Sequence, residues 1–133
     1  MTTKKALFIP SDLNDPRFRQ YIINILRRAT YRQWKPRSDA LKAARITRGR
    51  YKCALCGRED VERSELQLDH KIPVIDERGM MGMTIEEIIV RMMPQLDGWQ
   101  VICTTCHKIK SDSENQGRKE YKKKKLSRKL SRK

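Results

Sequence analysis

Histidine is nearly missing from this chain, with two in 133 residues, and aromatic residues make up only 6% of it. With 38% hydrophobic residues the chain is expected to form one domain with a modest core, which argues against a two-domain enzyme. No apolar run approaches the roughly 20 residues of a membrane span. The N-terminus MTTKKALFIP has no long apolar segment followed by a small-residue cleavage site. These absences predict a cytoplasmic protein with no membrane partner. They also bear on the four cysteines, because disulfides need an oxidising compartment. The thiols are therefore read as reduced and free to bind metal.

Acidic residues are scarce as well: 31 Lys and Arg stand against 16 Asp and Glu, leaving a net charge of +15. That excess draws the chain to phosphate polyanions and makes nucleic acid the expected partner. The charge is unevenly spread. Residues 1–50 carry +10, residues 51–117 carry −4, and residues 118–133 carry +9. The attraction belongs to the flanks, and the middle is mildly acidic.

Residues 15–34 place Phe18, Ile22, Ile25, Leu26 and Ala29 at helical spacing, with Asp15 positioned to cap and Pro16 at the first helical position. The opposite face carries Arg17, Arg19, Arg27, Arg28 and Arg32, either to track phosphates or as a solvated face. A second short helix is predicted from Ser38, burying Ala40, Leu41 and Ala44 and ending before Gly49. Residues 51–57 (YKCALCG) read as a strand leading into a tight turn, and residues 66–69 alternate as a half-buried strand does. Thr84 and Glu87 have capping-box spacing for a short helix that Pro94 closes. Met80, Met81, Met83, Met92 and Met93 surround that helix and suit irregular packing. Residues 99–102 form a second strand, followed by a helix over 104–114. From Gly117 onward the like-charge block predicts disorder in the unbound chain.

All four cysteines fall into two pairs, Cys53-x2-Cys56 and Cys103-x2-Cys106, 46 residues apart. Two intervening residues let one tight turn aim both thiolates at a single ion, so one four-sulfur structural Zn²⁺ site is expected. A closed site of this kind leaves no open coordination position for catalysis. The two histidines are tied to the same framework. His70 follows Asp69 at a strand end, and His107 directly follows the last cysteine.

Three segments, CALC at 53–56, LQLDHKIP at 66–73 and GWQVICTTCHKIK at 98–110, together resemble the HNH endonucleases, closest to small phage-type members with a four-cysteine zinc site. The resemblance covers roughly residues 50–114. It implies an α+β fold: a small ββα-metal, treble-clef-like zinc core with basic N-terminal helices and a disordered basic C-terminal tail. The corresponding division is 1–50, a basic helical region; 51–116, the HNH nuclease domain; and 117–133, the tail. For a phage-encoded member the compartment is the host cytoplasm.

Carried over residue by residue, the resemblance makes His70 the general base and Asp69 and His107 ligands of a catalytic Mg²⁺ or Mn²⁺. An imidazole, with a pKa of about 6.5, suits deprotonation of water near neutral pH. The implied reaction is hydrolysis of DNA to a 5′ phosphate and a 3′ hydroxyl. One position departs from the family: the middle Asn, nine residues before the last His, is here Gly98, and Asp97 or Gln100 is left to take over its bracing. Lys71 and Lys110 are either phosphate contacts or exposed lysines, and Trp99 either stacks on a base or lies in the core. The competing reading is a catalytically inactive, zinc-stabilised nucleic-acid-binding or DNA-packaging accessory protein.

Overall fold

Helix α1 begins where Asp15 turns its carboxylate back on the chain, accepting the N–H groups of Arg17 and Phe18 at 2.9 and 3.4 Å. Pro16 follows at the first helical position, and α1 runs Pro16–Gln33 in the computed structural model, which describes residues 8–132. The buried face is rotated from the expected stripe. Arg19, Ile23 and Thr30 are buried, whereas Ile25 is exposed. Arg19 can lie inside because its guanidinium donates to three backbone carbonyls, Leu13 at 2.9 Å, Met80 at 3.0 Å and Met83 at 2.6 Å. A buried cation that meets carbonyl oxygens loses much less than one left without partners.

Helix α2, Lys35–Ala44, starts three residues before the predicted Ser38. Pro36 sits in its first turn, where a missing N–H has no helical partner to lose. A hairpin absent from the sequence expectations follows, β1 (Arg45–Thr47) against β2 (Arg50–Tyr51), turning through Gly49 at φ 75°. Of the strand and tight turn expected over 51–57, the strand part ends at Tyr51. Beyond Tyr51 the backbone folds back on itself: Cys53 N–H donates to the Arg58 carbonyl and Gly57 N–H to the Cys53 carbonyl.

Strands β3 (Leu66–His70) and β4 (Trp99–Cys103) pair antiparallel, with Leu66 opposite Cys103, Asp69 opposite Gln100 and His70 opposite Trp99. Between them lies α3, Ile85–Met92, capped by Thr84 Oγ1 accepting from Glu87 N–H at 3.1 Å. Helix α4 starts directly after β4 and runs Thr104–Ser131. Residues 117–131, expected to be disordered, thus continue the same helix, which is 28 residues long in all. No proline interrupts this stretch, and Lys, Arg, Glu and Leu are good helix formers. The ion pairs Lys108–Asp112 and Lys110–Glu114 support it, and Arg118 is tied to the Ile75 carbonyl at 3.1 Å.

Among the described residues the chain is a small mixed α+β protein with four α-helices and two small antiparallel sheets. No described helix is long and apolar enough to cross a membrane. One core cluster joins Ala40 of α2 with Cys53, Val61, Leu66, Trp99, Val101, Ile102 and Cys103. The second joins Ile23 with Met83, Ile88 and Met92; Met81 stays exposed. Both indoles, of Trp34 and Trp99, donate to the Pro94 carbonyl at 2.7 and 3.1 Å, which binds α1, α3 and β4 at one oxygen.

Gly98, where the resemblance led to an expected Asn, closes a 3-10 turn (Leu96–Gly98) and accepts Lys71 N–H on its carbonyl at 2.9 Å. A Cβ there would stand 2.3 Å from Pro94 Cβ, so no side chain fits without moving the proline that both indoles hold. Gly98→Ala is therefore expected to cost about 1–3 kcal/mol, the usual range for overpacking. Urea denaturation measures it, and an unchanged midpoint would show that the turn yields freely.

Candidate metal centre and adjoining cleft

The two cysteine pairs meet where the 53–56 turn lies against the β4–α4 junction. All four Sγ atoms fall within 4.8 Å of one another, and Cys56 and Cys103 are 3.9 Å apart. A tetrahedral zinc with bonds of about 2.3 Å separates its sulfurs by about 3.8 Å, so this donor set fits such an ion. Burial pushes the Cys53 thiol up, but backbone N–H donors, with Cys56 at 3.5 Å and Cys103 at 3.3 Å, outweigh it and bring the pKa down to about 6. Cys106 moves the other way, to about 12, through its hydrogen bond with the Cys103 thiol, lost hydration and the other two sulfurs. One thiolate is readily formed and further negative charge is resisted, a balance that a bound cation reverses. The four cysteines can hold a structural metal ion such as zinc.

Asp69 lies next to this centre, on the strand that β4 pairs with. Gln100, directly opposite, donates its amide to Asp69 Oδ2 at 3.0 Å. Lys110, on the second turn of α4, reaches the same oxygen at 2.9 Å, and its ammonium also contacts the His70 carbonyl and Glu114. Burial works against the Lys110 charge, but Glu114 and Asp69 outweigh it and hold its pKa above the ordinary lysine value. Asp69 Oδ1 faces His107 Nε2 across 3.9 Å. The carboxylate is thus held on one oxygen and turned towards an imidazole with the other.

His70 ends β3 with its ring against Trp99, centroids 4.1 Å apart, and Nε2 2.8 Å from the Met92 carbonyl. A carbonyl only accepts, so Nε2 carries the proton and Nδ1 keeps its lone pair. Burial lowers the His70 pKa, and the nearby charges of Arg27 and Lys110 add to the effect against the opposing pull of the Met92 carbonyl and Asp69. The neutral ring, with one nitrogen free to accept, is the favoured form. Trp99 is 5% exposed and lies in the core.

Asp69 and His70 open onto a cleft of about 370 Å³ whose lining includes Lys110, Arg27, Arg37, Arg118 and Glu114. Helix α1 supplies Arg27, α2 supplies Arg37, and α4 supplies Glu114 and Arg118. These arginines and Glu114 have no motif spacing to mark them; only the face that Arg27 shares on α1 is visible in the sequence. Asp97 and Lys71 lie elsewhere, exposed along a separate groove, so of the residues predicted to brace the site only Gln100 touches Asp69.

Comparison with protein-family models, curated proteins and solved structures returns no match to this chain.

The cysteine centre makes a direct prediction. The purified protein should carry one equivalent of zinc by elemental analysis, and Cys53→Ser should lose the metal together with a large part of its thermal stability. Unchanged melting with the zinc retained would show that the sulfurs are ordinary core thiols.

Proposed function

We propose that this chain is a metal-dependent endonuclease of the HNH type, hydrolysing DNA phosphodiesters on a ββα-metal core with structural zinc. The observation that carries this reading is Asp69, with one oxygen 3.9 Å from His107 Nε2, lining together with His70 a cleft whose rim is cationic. A histidine that only fills the core would not need an arginine-lined opening beside it.

The reacting parts follow from the hydrogen bonds. His70 Nδ1, left as an acceptor by the Nε2 bond to Met92, takes a proton from a water molecule as its oxygen attacks phosphorus. The P–O3′ bond breaks, the 3′ oxygen takes a proton from solvent, and the products are a 5′ phosphate and a 3′ hydroxyl. Asp69 Oδ1 and His107 Nε2 form the oxygen and nitrogen donor pair that would hold Mg²⁺ or Mn²⁺. Bound there, the ion would neutralise negative charge developing on the leaving oxygen. Gln100 and Lys110 keep Asp69 oriented by occupying its other oxygen, the bracing that Gly98 has no side chain to give.

Those same two contacts favour a second reading, in which Lys110 permanently neutralises Asp69 and the chain is an inactive DNA-binding or packaging accessory. Plasmid cleavage distinguishes the two. The parent protein should cut in Mg²⁺ or Mn²⁺ and not in EDTA, and His70→Ala should lose about 10²- to 10⁴-fold in rate. Equal cleavage by both proteins would remove His70 from the reaction, and no cleavage by the parent in either metal would select the accessory reading.

A further inference from the structure

Five arginines of this protein, Arg17, Arg50, Arg58, Arg78 and Arg91, each lie within 4.0 Å of a carboxylate. Several other described arginines, Arg28, Arg32, Arg45 and Arg48 among them, have none, and what sets the cleft arginines apart is that they line one opening and that two of them are anchored. Among the described residues Arg27, Arg37 and Arg118 have no carboxylate partner, although Arg37 and Arg118 are held in place by neutral oxygens. Arg118 donates to the Ile75 carbonyl and Asn115 Oδ1, and Arg37 to the Tyr31 carbonyl. Fixed guanidinia with uncompensated charge are suited to a phosphate.

Tyr31 adds a second feature. Its residue is 64% exposed at the cleft, and the Arg37 guanidinium lies 4.1 Å from its ring centroid. An exposed tyrosine backed on one side by a cation is a stacking platform for a base. The cleft, about 370 Å³, is in the size range of a site for one small ligand, roughly 300–1,000 Å³. It has room for one nucleotide.

We propose that the cleft between α1 and α4 seats one unpaired nucleotide beside the scissile phosphate, with Arg27 and Arg118 on its phosphate and Tyr31, braced by Arg37, on its base. This rests on the nuclease reading for what is cut, and names the substrate as nucleic acid that is single-stranded or locally opened at the cut. Arg27 and Arg118 come from the two basic flanks, so both flanks meet at the same phosphate. Tyr31 is a specificity-determining residue, because only an unpaired base can reach its face.

Binding in EDTA tests the seat without requiring catalysis. Fluorescence anisotropy with the full-length protein would compare a labelled single-stranded oligonucleotide with a blunt duplex of the same sequence. Tyr31→Ala should weaken single-strand binding about 5- to 100-fold, the range for loss of one stacked base, while Tyr31→Phe retains it. Duplex binding should hardly change. Arg27→Ala/Arg118→Ala should weaken single-strand binding far more than Lys42→Ala/Arg48→Ala, which removes the same charge from residues outside the cleft. Equal losses in the two double variants, or a Tyr31→Ala protein that binds the single strand as the parent does, would overturn the seat. Circular dichroism of each variant separates these outcomes from misfolding. Failure of cleavage in metal would sink the nuclease reading while leaving this binding pattern intact.

Discussion

Cys103 ends β4, caps α4 and contributes one of four sulfurs that lie within 4.8 Å of one another. Its N–H donates to Cys53 Sγ and its own Sγ stands 3.9 Å from Cys56, so the strand carrying Gln100 and the helix carrying His107 and Lys110 join the 53–56 turn at one residue. Because α4 starts with no intervening loop, the rotation of its first turn is set by that junction. His107 and Lys110 therefore approach Asp69 as a consequence of where the sulfurs sit. A metal ion at the sulfurs would fix the direction of a 28-residue helix and, with it, the geometry of the neighbouring site.

The distribution of charge takes on a different meaning in three dimensions. Read along the chain, the flanks at +10 and +9 supply attraction and the segment at −4 supplies chemistry. Folded, Arg27 and Arg37 from one flank and Arg118 from the other stand around the opening in front of Asp69 and His70, which belong to the acidic segment. The acidic groups of that segment are largely engaged: Asp76 with Arg78 and Arg91, Glu87 with Arg78, Asp69 and Glu114 with Lys110. Uncompensated positive charge is left facing the cleft. In a region of lowered dielectric such charge acts on a phosphate more strongly than the same charge on an open face.

Local signals explain what was legible in the sequence. Asp15 and Thr84 cap helices because their side-chain oxygens reach N–H groups two or three residues on, and alternation over 66–69 marks a strand with one buried side. Paired cysteines two residues apart mark one metal site for the same reason, since a single turn brings both together. What stayed hidden depends on distant partners. Arg19 looks like a solvated residue until carbonyls from Met80 and Met83 arrive beside it. The 45–51 hairpin is too short to show a pattern and is completed by Tyr51 pairing with Val61. The basic tail sets helix propensity against like-charge repulsion, and the anchoring of Arg118 on Ile75 has no local signature. Gln100 is separated from Asp69 by 30 residues, and only the strand register puts them opposite.

The methionine-rich segment between the strands illustrates how packing and chemistry share residues here. Met92 is buried at the end of α3 against Ile23 and Ile88, and its carbonyl is left free because the helix stops there. That carbonyl accepts from His70 Nε2 and so decides which ring nitrogen keeps a lone pair. Two residues on, the Pro94 carbonyl holds both indoles, one of which packs against the same imidazole. A helix C-terminus also carries partial negative charge, which steadies a donated N–H pointing at it. The segment that reads as filler therefore sets the tautomer and tilt of the residue proposed to act as base. Its buried methionines matter to that residue through the position of a backbone oxygen, not through any chemistry of their own.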